Sequence, residues 1–294
     1  MAVMRRNGEL AKDYAARHGV PKCYASAQAL LDDSEVDAVY IATPPYAHLP
    51  LALACAKARK PTCVEKPMAL NHEECRQMVE AFKQSDTPLF VSYYRRSLPR
   101  FLAIKAAIDE GQIGLVRMVN IHIRKPILEE ERHSERLPWR VRPELSGGGR
   151  FVDLASHTLD FLDFALGPIT QATGISKNLA GLYPAEDSVV ASFAFESGVV
   201  GAGSWTFVAA DRADRVEIIG SQGSIAFSTF GDDPVELLAG GVAHSLRIAN
   251  PDPIQLPHVQ NLVDELLGRG RCPSTGETGA RTNWVMDRIL GGSV

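Results

Sequence analysis

Three residues of this chain have side chains and positions suited to moving a proton. Lys66 follows the short predicted strand 62–65 and precedes Pro67, which predicts a lysine at the carboxyl end of a strand, in a turn fixed by proline. Asp153 and His157 are four residues apart, so a helix would present both on one face. A partly buried lysine and a histidine beside a carboxylate are common acid–base groups. We therefore predict that these three residues are catalytic and line one cleft.

Each of them also has a structural interpretation. A lysine after a strand is usually exposed to solvent, Asp153 near a helix start would stabilise the helix dipole, and His157 would be a core histidine. Asp160 on the same helix is interpreted as structural or solvent-facing. The three glycines at 147–149 favour the catalytic interpretation, because they would let the helix start approach a ligand closely.

The elements that must position these residues alternate along the first third of the chain. Strand and helix periods follow one another, as in βαβ units around a parallel sheet. The run 36–43 predicts a buried strand that Pro44 ends, and 62–65 and 88–93 predict two more strands. Helices are expected at about 8–18, 26–32, 48–60 and 71–84. A ligand is expected where the carboxyl ends of the parallel strands face the rest of the chain.

The pattern changes from about residue 116 onward. Longer alternating strands are predicted at 116–125, 188–195, 199–207 and 215–219, with glycine-containing turns after several of them. One strongly helical segment, 150–166, lies between these strand groups. The second part of the chain is therefore expected to form a mostly antiparallel sheet.

Composition excludes several classes of function. The 31 Lys and Arg against 35 Asp and Glu give a net charge of −4 without a basic stripe, so no nucleic-acid partner is expected and a small-molecule ligand is favoured. No apolar stretch is long enough to span a bilayer, and no signal segment begins the chain, so no membrane association and a cytoplasmic location are expected. The five cysteines have neither disulfide-framework nor zinc-site spacing, so we expect reduced thiols and no metal.

Several motifs occur in an order that resembles one enzyme family. They are the strand VDAVYIATP at 36–44, the nearby His48, the Glu65-Lys66-Pro67 turn, and the Gly-Gly-Gly-x-x-x-Asp-x-x-x-His helix that begins with the glycines at 147–149. The same order and spacing are found in the Gfo/Idh/MocA oxidoreductases, and the similarity extends over nearly the whole chain, including CPSTGE at 272–277.

This resemblance implies an α/β fold with two domains and a nicotinamide cofactor. Residues 1–94 would form an incomplete Rossmann-type parallel sheet domain. Residues 95–294 would form an α/β domain with a large, mostly antiparallel open sheet, and its last helix would pack back on the first domain. The substrate would be a sugar, a polyol or a related hydroxyl or carbonyl compound. In the family such open sheets often pair, which implies a homodimer or homotetramer.

The resemblance also implies residue roles. Lys66, Asp153 and His157 would surround the reacting carbon, with His157 as the acid/base and Lys66 as a positioning and electrostatic group. The residues near the dinucleotide would be Thr43, Pro44, His48, Glu65 and Lys66. Those that contact the substrate would be Tyr94, Arg95 and Trp139, although a solvated arginine and an aromatic packing anchor are the structural alternatives for the last two.

A dinucleotide fold needs a glycine-rich G-x-G-x-x-G turn at a helix N-terminus, and these 294 residues contain none in that context. Arg5 and Arg6 occupy the turn that selects the cofactor, where arginines suit a 2′-phosphate, so NADP is predicted over NAD. We expect that the gene continues upstream with a strand, a glycine-rich turn and a helix, and that the parallel sheet of the chain as written has one exposed side.

Two interpretations from other classes compete with an oxidoreductase. A non-catalytic relative would use the second domain to bind or sense a ligand, and a structural subunit would use the open sheet for assembly alone. Neither needs Lys66, Asp153 and His157 together, because binding and assembly do not require an acid–base set. The set of three therefore favours the enzyme.

Overall fold

The first part of the chain folds into short parallel strands connected by helices. The computed structural model describes residues 1–291, apart from the side chain of Ser134, so residues 292–294 of the predicted second domain lie outside the description. The strands are β1 (Ala2–Met4), β2 (Lys22–Tyr24), β3 (Val39–Ile41), β4 (Thr62–Val64) and β5 (Leu89–Val91). The helices are α1 (Gly8–His18), α2 (Ala27–Leu31), α3 (His48–Lys57) and α4 (His72–Ser85).

Capping residues set the bounds of these helices. The Asn7 side chain accepts hydrogen bonds from the first backbone N–H groups of α1, and Gly19 ends the helix with a left-handed φ of 61°. Asn71 caps α4 in the same way. On the buried face of α4, Cys75 and Phe82 pack into the core of this part.

The five strands form two parallel sheets, whereas the sequence pattern predicted one. β1 pairs with β2, and β3, β4 and β5 form a separate sheet in that order. In the part of the chain that the structure describes, no strand pairs with both β1 and β3. Ile41, Val64 and Val91 stand in register, so β3, β4 and β5 end at one edge and the residues after them lie close together.

In residues 95–291, the second part contains a large sheet and five α-helices. The strands are β6 (Val116–Arg124), β7 (Ile169–Lys177), β8 (Ser188–Phe195), β9 (Val200–Thr206), β10 (Ala213–Gly220), β11 (Gly223–Phe227), β12 (Val235–Ala239) and β13 (Val242–Leu246). The helices are α5 (Pro99–Asp109), α6 (Pro143–Ser146), α7 (Arg150–Leu166), α8 (Leu256–Leu266) and α9 (Gly276–Leu290). The strand order is β13-β12-β11-β10-β6-β9-β8-β7, and only the β6–β9 pair is parallel. The predicted mixed α/β class, with a large and mostly antiparallel sheet, is confirmed.

One face of the large sheet carries the core of the second part. Phe101 of α5 and Phe161 of α7 pack edge to face with Phe227 at the end of β11, and Phe151 packs in the same way on Trp205. These buried rings exclude water from the side of α7 that packs on the sheet. The opposite face, called the open face below, carries exposed side chains such as those of Ile175 and Val190.

Helix α9 connects the two parts. It packs against α4 and β5 on one side and against α7 and β7 on the other. Gly174 of β7 allows this close approach, since a Cβ there would stand 2.7 Å from the carbonyl oxygen of Ile289. The segment before α9 also bonds to the parallel sheet, where the Ser274 hydroxyl donates to the Val91 carbonyl at 2.7 Å.

A buried ionic network fixes α7 between these elements. The Arg96 guanidinium donates to Asp160 at 2.8 Å and to Asp163 at 3.1 Å, and Arg281 of α9 donates to Asp163 at 2.7 Å. Asp160 has no exposed surface, and burial raises its pKa to about 6 against the opposing charge of Arg96. Asp160 is therefore structural, which settles the choice that the sequence left open.

None of the described helices combines the length and the apolar character needed to cross a bilayer.

Candidate active site

Lys66 and Asp153 form an ion pair between the two parts of the chain. Lys66 follows β4 directly, and Asp153 lies in the first turn of α7. The Lys66 Nζ donates to the Asp153 Oδ1 at 2.6 Å and to the Asp153 carbonyl oxygen at 2.9 Å. An ammonium has three N–H groups, so one donor is left for a ligand.

Asp153 is surrounded by positive charge. Besides Lys66, its Oδ2 lies 3.5 Å from the Arg140 Nε and 3.8 Å from an Nη of Arg150. Burial by itself would raise the pKa of this carboxyl, but the charge and hydrogen bond of Lys66, followed by the two arginines, bring it below its ordinary value. Asp153 is thus an anion at neutral pH and holds Lys66 in place.

His157 lies one helical turn after Asp153, inside an aromatic enclosure. Its ring centroid is 6.1 Å from that of Tyr93, 5.6 Å from Tyr94 and 5.9 Å from Phe230, all in edge-to-face contact. The side chain is nearly buried, and neither ring nitrogen hydrogen-bonds to another described residue. Burial first, then the charges of Arg95 and Lys66, hold the pKa of His157 well below 6.5. The imidazole is therefore neutral at pH 7.

The glycines before α7 have a packing role. Gly147 adopts a left-handed φ of 83°, and a Cβ there would stand 2.2 Å from the Leu70 carbonyl oxygen. At Gly149 a Cβ would stand 2.7 Å from the Glu186 carbonyl oxygen, and the Gly149 N–H donates to the Glu186 carboxylate at 2.8 Å. The glycines thus let neighbouring chain segments approach the start of α7.

Four of the predicted cofactor residues lie at the edge where β3 and β4 end. His48 is fully buried, and its two ring nitrogens lie 2.7 Å from the Thr43 carbonyl oxygen and 3.1 Å from that of Met68, so it supports this edge from beneath. Pro44 begins the turn before α3. Glu65 accepts a hydrogen bond from the Tyr40 hydroxyl at 2.6 Å. The buried Thr43 hydroxyl has no partner among the described residues.

Arg5 and Arg6 follow β1 and are exposed. The Arg5 guanidinium stacks over the Tyr14 ring at 5.7 Å, and Arg6 donates to the Tyr46 hydroxyl at 2.7 Å. Neither forms an ion pair with a carboxylate in the described part of the chain. Tyr46 lies next to Pro45 in the turn after β3, so this contact links the two parallel sheets.

The three predicted substrate residues lie around the catalytic set. Tyr94 contacts the His157 ring directly. Arg95 is buried, donates from Nε to the Thr229 carbonyl at 3.0 Å, and leaves its Nη1 without a partner among the described residues. Trp139 touches the set through Arg140, whose guanidinium lies 4.4 Å from the Trp139 ring centre and also contacts Asp153. The catalytic, cofactor and substrate roles stay predictions.

Two further residues of this region were missed by the sequence reasoning. Lys125 follows β6, and its Nζ lies 4.6 Å from the centre of the Phe230 ring, which in turn contacts His157. Lys125 stands at the end of a correctly predicted strand, so strand-end position was a usable signal for it. Phe230 lies in a loop far away in sequence, and no local pattern indicates it.

Two domain models match the chain, and they define its class. Residues 1–93 match a model described as an oxidoreductase family with an NAD-binding Rossmann fold, and residues 101–226 match the GFO/IDH/MocA C-terminal domain. The protein is thus an oxidoreductase with an NAD-binding Rossmann-fold domain followed by a domain of this C-terminal type.

Relatives cover nearly the whole sequence. Oxidoreductase P35 of Formosa agariphila is 35% identical, and the match covers 99% of this chain and 90% of that protein. The 1,5-anhydro-D-fructose reductase of Ensifer adhaerens is 30% identical over 95% of this chain and 84% of its own. The chain belongs to the Gfo/Idh/MocA oxidoreductase family.

A solved structure shares the fold. Levoglucosan dehydrogenase in complex with NADH and levoglucosan superposes with a TM-score of 0.87 at 23% identity, and the match covers 98% of this chain and 86% of that one. At this identity the likeness establishes the fold alone.

Proposed function

We propose that this protein transfers hydride between a nicotinamide cofactor and a CH–OH carbon of a cyclic sugar, a polyol or a related compound. The observation that carries the proposal is the Lys66–Asp153 ion pair one helical turn before the neutral His157, because together they supply a hydrogen-bond donor and a proton acceptor. The activity in the names of the two relatives and of the solved structure, which are oxidoreductases, supports the same chemistry.

In this mechanism each residue acts on the oxygen or on its proton. Lys66 donates its third N–H to the substrate oxygen and fixes its position, while Asp153 keeps the ammonium oriented. His157 accepts the hydroxyl proton as the carbon is oxidised and returns it in the reverse direction. The developing alkoxide is stabilised by Lys66, which costs little reorganisation because Asp153 already holds it.

The nicotinamide would lie along the edge where β3 and β4 end. The unpartnered, buried Thr43 hydroxyl fits a polar ligand there, and Glu65 and Lys66 stand at the end of the neighbouring strand. When bound, the cofactor supplies the hydride acceptor or donor. Pro44 and His48 would hold the backbone of this edge in place, without contacting the cofactor themselves.

The pH dependence of the oxidation follows from the state of His157. A base with a depressed pKa keeps its neutral form as the pH falls, so kcat/KM for the alcohol should not decline between about pH 8 and the ordinary histidine pKa of 6.5. The measurement is a pH profile of kcat/KM at saturating cofactor. A limb that falls at pH 6.5 or above and disappears in His157→Ala would contradict a buried, neutral base.

We further propose NADP as the preferred cofactor, with NAD also used. Arg5 and Arg6 are exposed at the end of β1 and carry no carboxylate partner in residues 1–291, so both are available to a 2′-phosphate.

The double variant Arg5→Gln/Arg6→Gln should weaken NADP binding about tenfold or more and NAD binding much less, because charge-assisted hydrogen bonds to the 2′-phosphate are lost. Titration of both cofactors by protein fluorescence or calorimetry measures this. Arg17→Gln is a matched control, because Arg17 already pairs with Asp13 at 2.8 Å. An equal loss of NAD and NADP affinity in the double variant would refute the preference.

We also propose a homodimer or homotetramer formed through the open face of the large sheet, and a cytoplasmic location. The outward side chains of Ile175 of β7 and Val190 of β8 stand opposite each other and are 65% and 54% exposed, and Val200 of β9 on the same face is 50% exposed. This face therefore presents uncovered apolar surface. All five cysteines are free thiols, as expected in a reducing compartment.

Val190→Glu should therefore convert the oligomer to a monomer in solution, because it introduces a charge into the paired face. Val242→Glu, on β13 at the far edge of the sheet, should leave the oligomer intact, although Val242 is equally exposed at 55%. Light scattering after size exclusion gives the mass. A wild-type monomer, or an unchanged mass in Val190→Glu, would exclude this interface.

A further inference from the structure

Two cationic side chains, those of Lys125 and Arg95, pack on the Phe230 ring beside His157. The Lys125 Nζ lies 4.6 Å from the ring centre, and the Arg95 Cζ lies 4.8 Å from it. Both distances are within the range of a cation–π interaction. His157 contacts the same ring, so the two positive charges stand next to the proposed catalytic base.

Neither cation has a carboxylate partner among the described residues. Arg95 is 5% exposed; its Nε donates to the Thr229 carbonyl and its guanidinium packs on the Tyr94 ring, but Nη1 has no partner among the described residues. Lys125 is half-buried and donates to no described oxygen. Burying a charge without a partner is costly, so such cations are usually found where an anion binds.

The carboxylates near Lys125 and Arg95 have other hydrogen-bond or ion-pair partners in the protein. Asp214 accepts from the Ser228 hydroxyl at 2.6 Å and from the Phe230 N–H at 2.7 Å, which fixes the loop that carries the ring. Glu131 pairs with Arg150, and Asp153 pairs with Lys66. The charge of Asp214 offsets part of that of Arg95 and Lys125, but one carboxylate stands against two cations, so an excess of positive charge remains in this region.

This excess acts on the reaction. Arg95 and Lys66 lower the pKa of His157 by their charges, after burial, and therefore oppose its protonation during alcohol oxidation. Burial lowers the pKa of Lys125 as well; the charge of Asp214 opposes this in part, and the charges of Arg212 and Arg150 add to it. An anionic group bound beside Phe230 would offset these charges and make it easier for His157 to take up a proton.

We propose that Lys125 is a specificity-determining residue, and that the site takes a sugar or polyol bearing an acidic group, with Lys125 bound to that group and Arg95, which packs on the same Phe230 ring, adding a second positive charge. The proposal rests on the proposed function for the sugar part of the ligand. Carboxylate and phosphate ester share the required chemistry, a compact anion that accepts a charge-assisted hydrogen bond.

The test is a set of binding titrations by calorimetry with matched acid and neutral ligands. The pairs are D-glucuronate with D-glucose, D-gluconate with D-glucitol, and D-glucose 6-phosphate with D-glucose. The wild-type protein should bind at least one acid about tenfold or more tightly than its neutral counterpart, as expected for one added charge-assisted bond. The first two pairs report on a carboxylate and the third on a phosphate.

In Lys125→Gln the preference for the acid should fall about tenfold while binding of the neutral ligands is unchanged. Lys83→Gln, an exposed lysine in the last turn of α4, is the matched control and should keep the preference. Thermal melting of Lys125→Gln verifies that the variant is folded.

The proposal is overturned if no acid binds more tightly than its neutral counterpart, or if Lys125→Gln weakens acid and neutral ligands equally. Because the readout is binding, failure of the proposed function is seen separately. In that case the acid preference would persist while no ligand of the panel yields reduced nicotinamide.

Discussion

Replacement of His157 by alanine should lower kcat for a sugar or polyol about 10²-fold or more, because a positioned proton acceptor contributes at least that much. The imidazole makes no hydrogen bond to the described residues, so its removal breaks no polar contact of the protein. Cofactor affinity should therefore stay within a few-fold of wild type. Steady-state kinetics and cofactor titration separate the two quantities.

A core histidine would give a different result. His157 is packed among Tyr93, Tyr94 and Phe230, so alanine also leaves a cavity and lowers the melting temperature. His157→Gln restores much of the volume and serves as the second variant. Normal turnover in the glutamine variant would show that His157 has only a packing role. The matched control is His133→Ala, because His133 is exposed.

Lys66→Met should reduce kcat/KM by about 10²-fold or more, because the substrate oxygen loses its only ammonium donor at this position. It should also destabilise the protein, since Asp153 keeps a buried charge whose closest partner is gone. Kinetics and thermal melting report the two effects.

The double variant Lys66→Met/Asp153→Asn distinguishes chemistry from stability. Removing both charges should restore much of the melting temperature that Lys66→Met loses, while turnover stays low because no donor returns. Lys83→Met is the control for loss of a lysine at the surface. Recovery of turnover in the double variant would show that Lys66 acts on stability alone.

The sequence predicted the fold class well because the elements around the site depend on local signals. Asn7 and Asn71 cap their helices, and the predicted strands 36–43 and 62–65 contain β3 and β4. The bounds differed because only Val39–Ile41 of the first run pairs with a neighbour. β1 and β2 also form a sheet apart from β3, because no described strand joins them. Hydrophobic periodicity along the sequence carries no information on which strands pair.

Strands with weak alternation were not predicted. β7 has the sequence ITQATGISK, whose polar and small residues give little apolar period, yet it pairs along its whole length with β8. Its glycine is required by the packing of α9, a contact that no local pattern reveals.

The candidate site also combines residues that local motifs predict with contacts that only the tertiary structure gives. Lys66, Asp153 and His157 were found because each lies in a short motif, and the four-residue spacing placed the last two on one helix face. The bond between Lys66 and Asp153 joins residues 87 positions apart, so only the tertiary structure gives its geometry. Phe230 contacts His157 from a loop that Asp214 holds in place. Lys125 can be assigned to the site only because its ammonium packs on the Phe230 ring.

The most direct test of the account is hydride transfer itself. The purified protein is incubated with NADP or NAD and a panel of cyclic sugars, inositols and diols, and reduced nicotinamide is followed by its absorbance. A substrate deuterated at the carbinol carbon should pass its label to the nicotinamide ring in the wild-type protein, and His157→Gln should slow this transfer about 10²-fold or more. If sugars and cofactor bind but no label moves, the protein is a non-catalytic ligand-binding relative and the proposed activity is wrong.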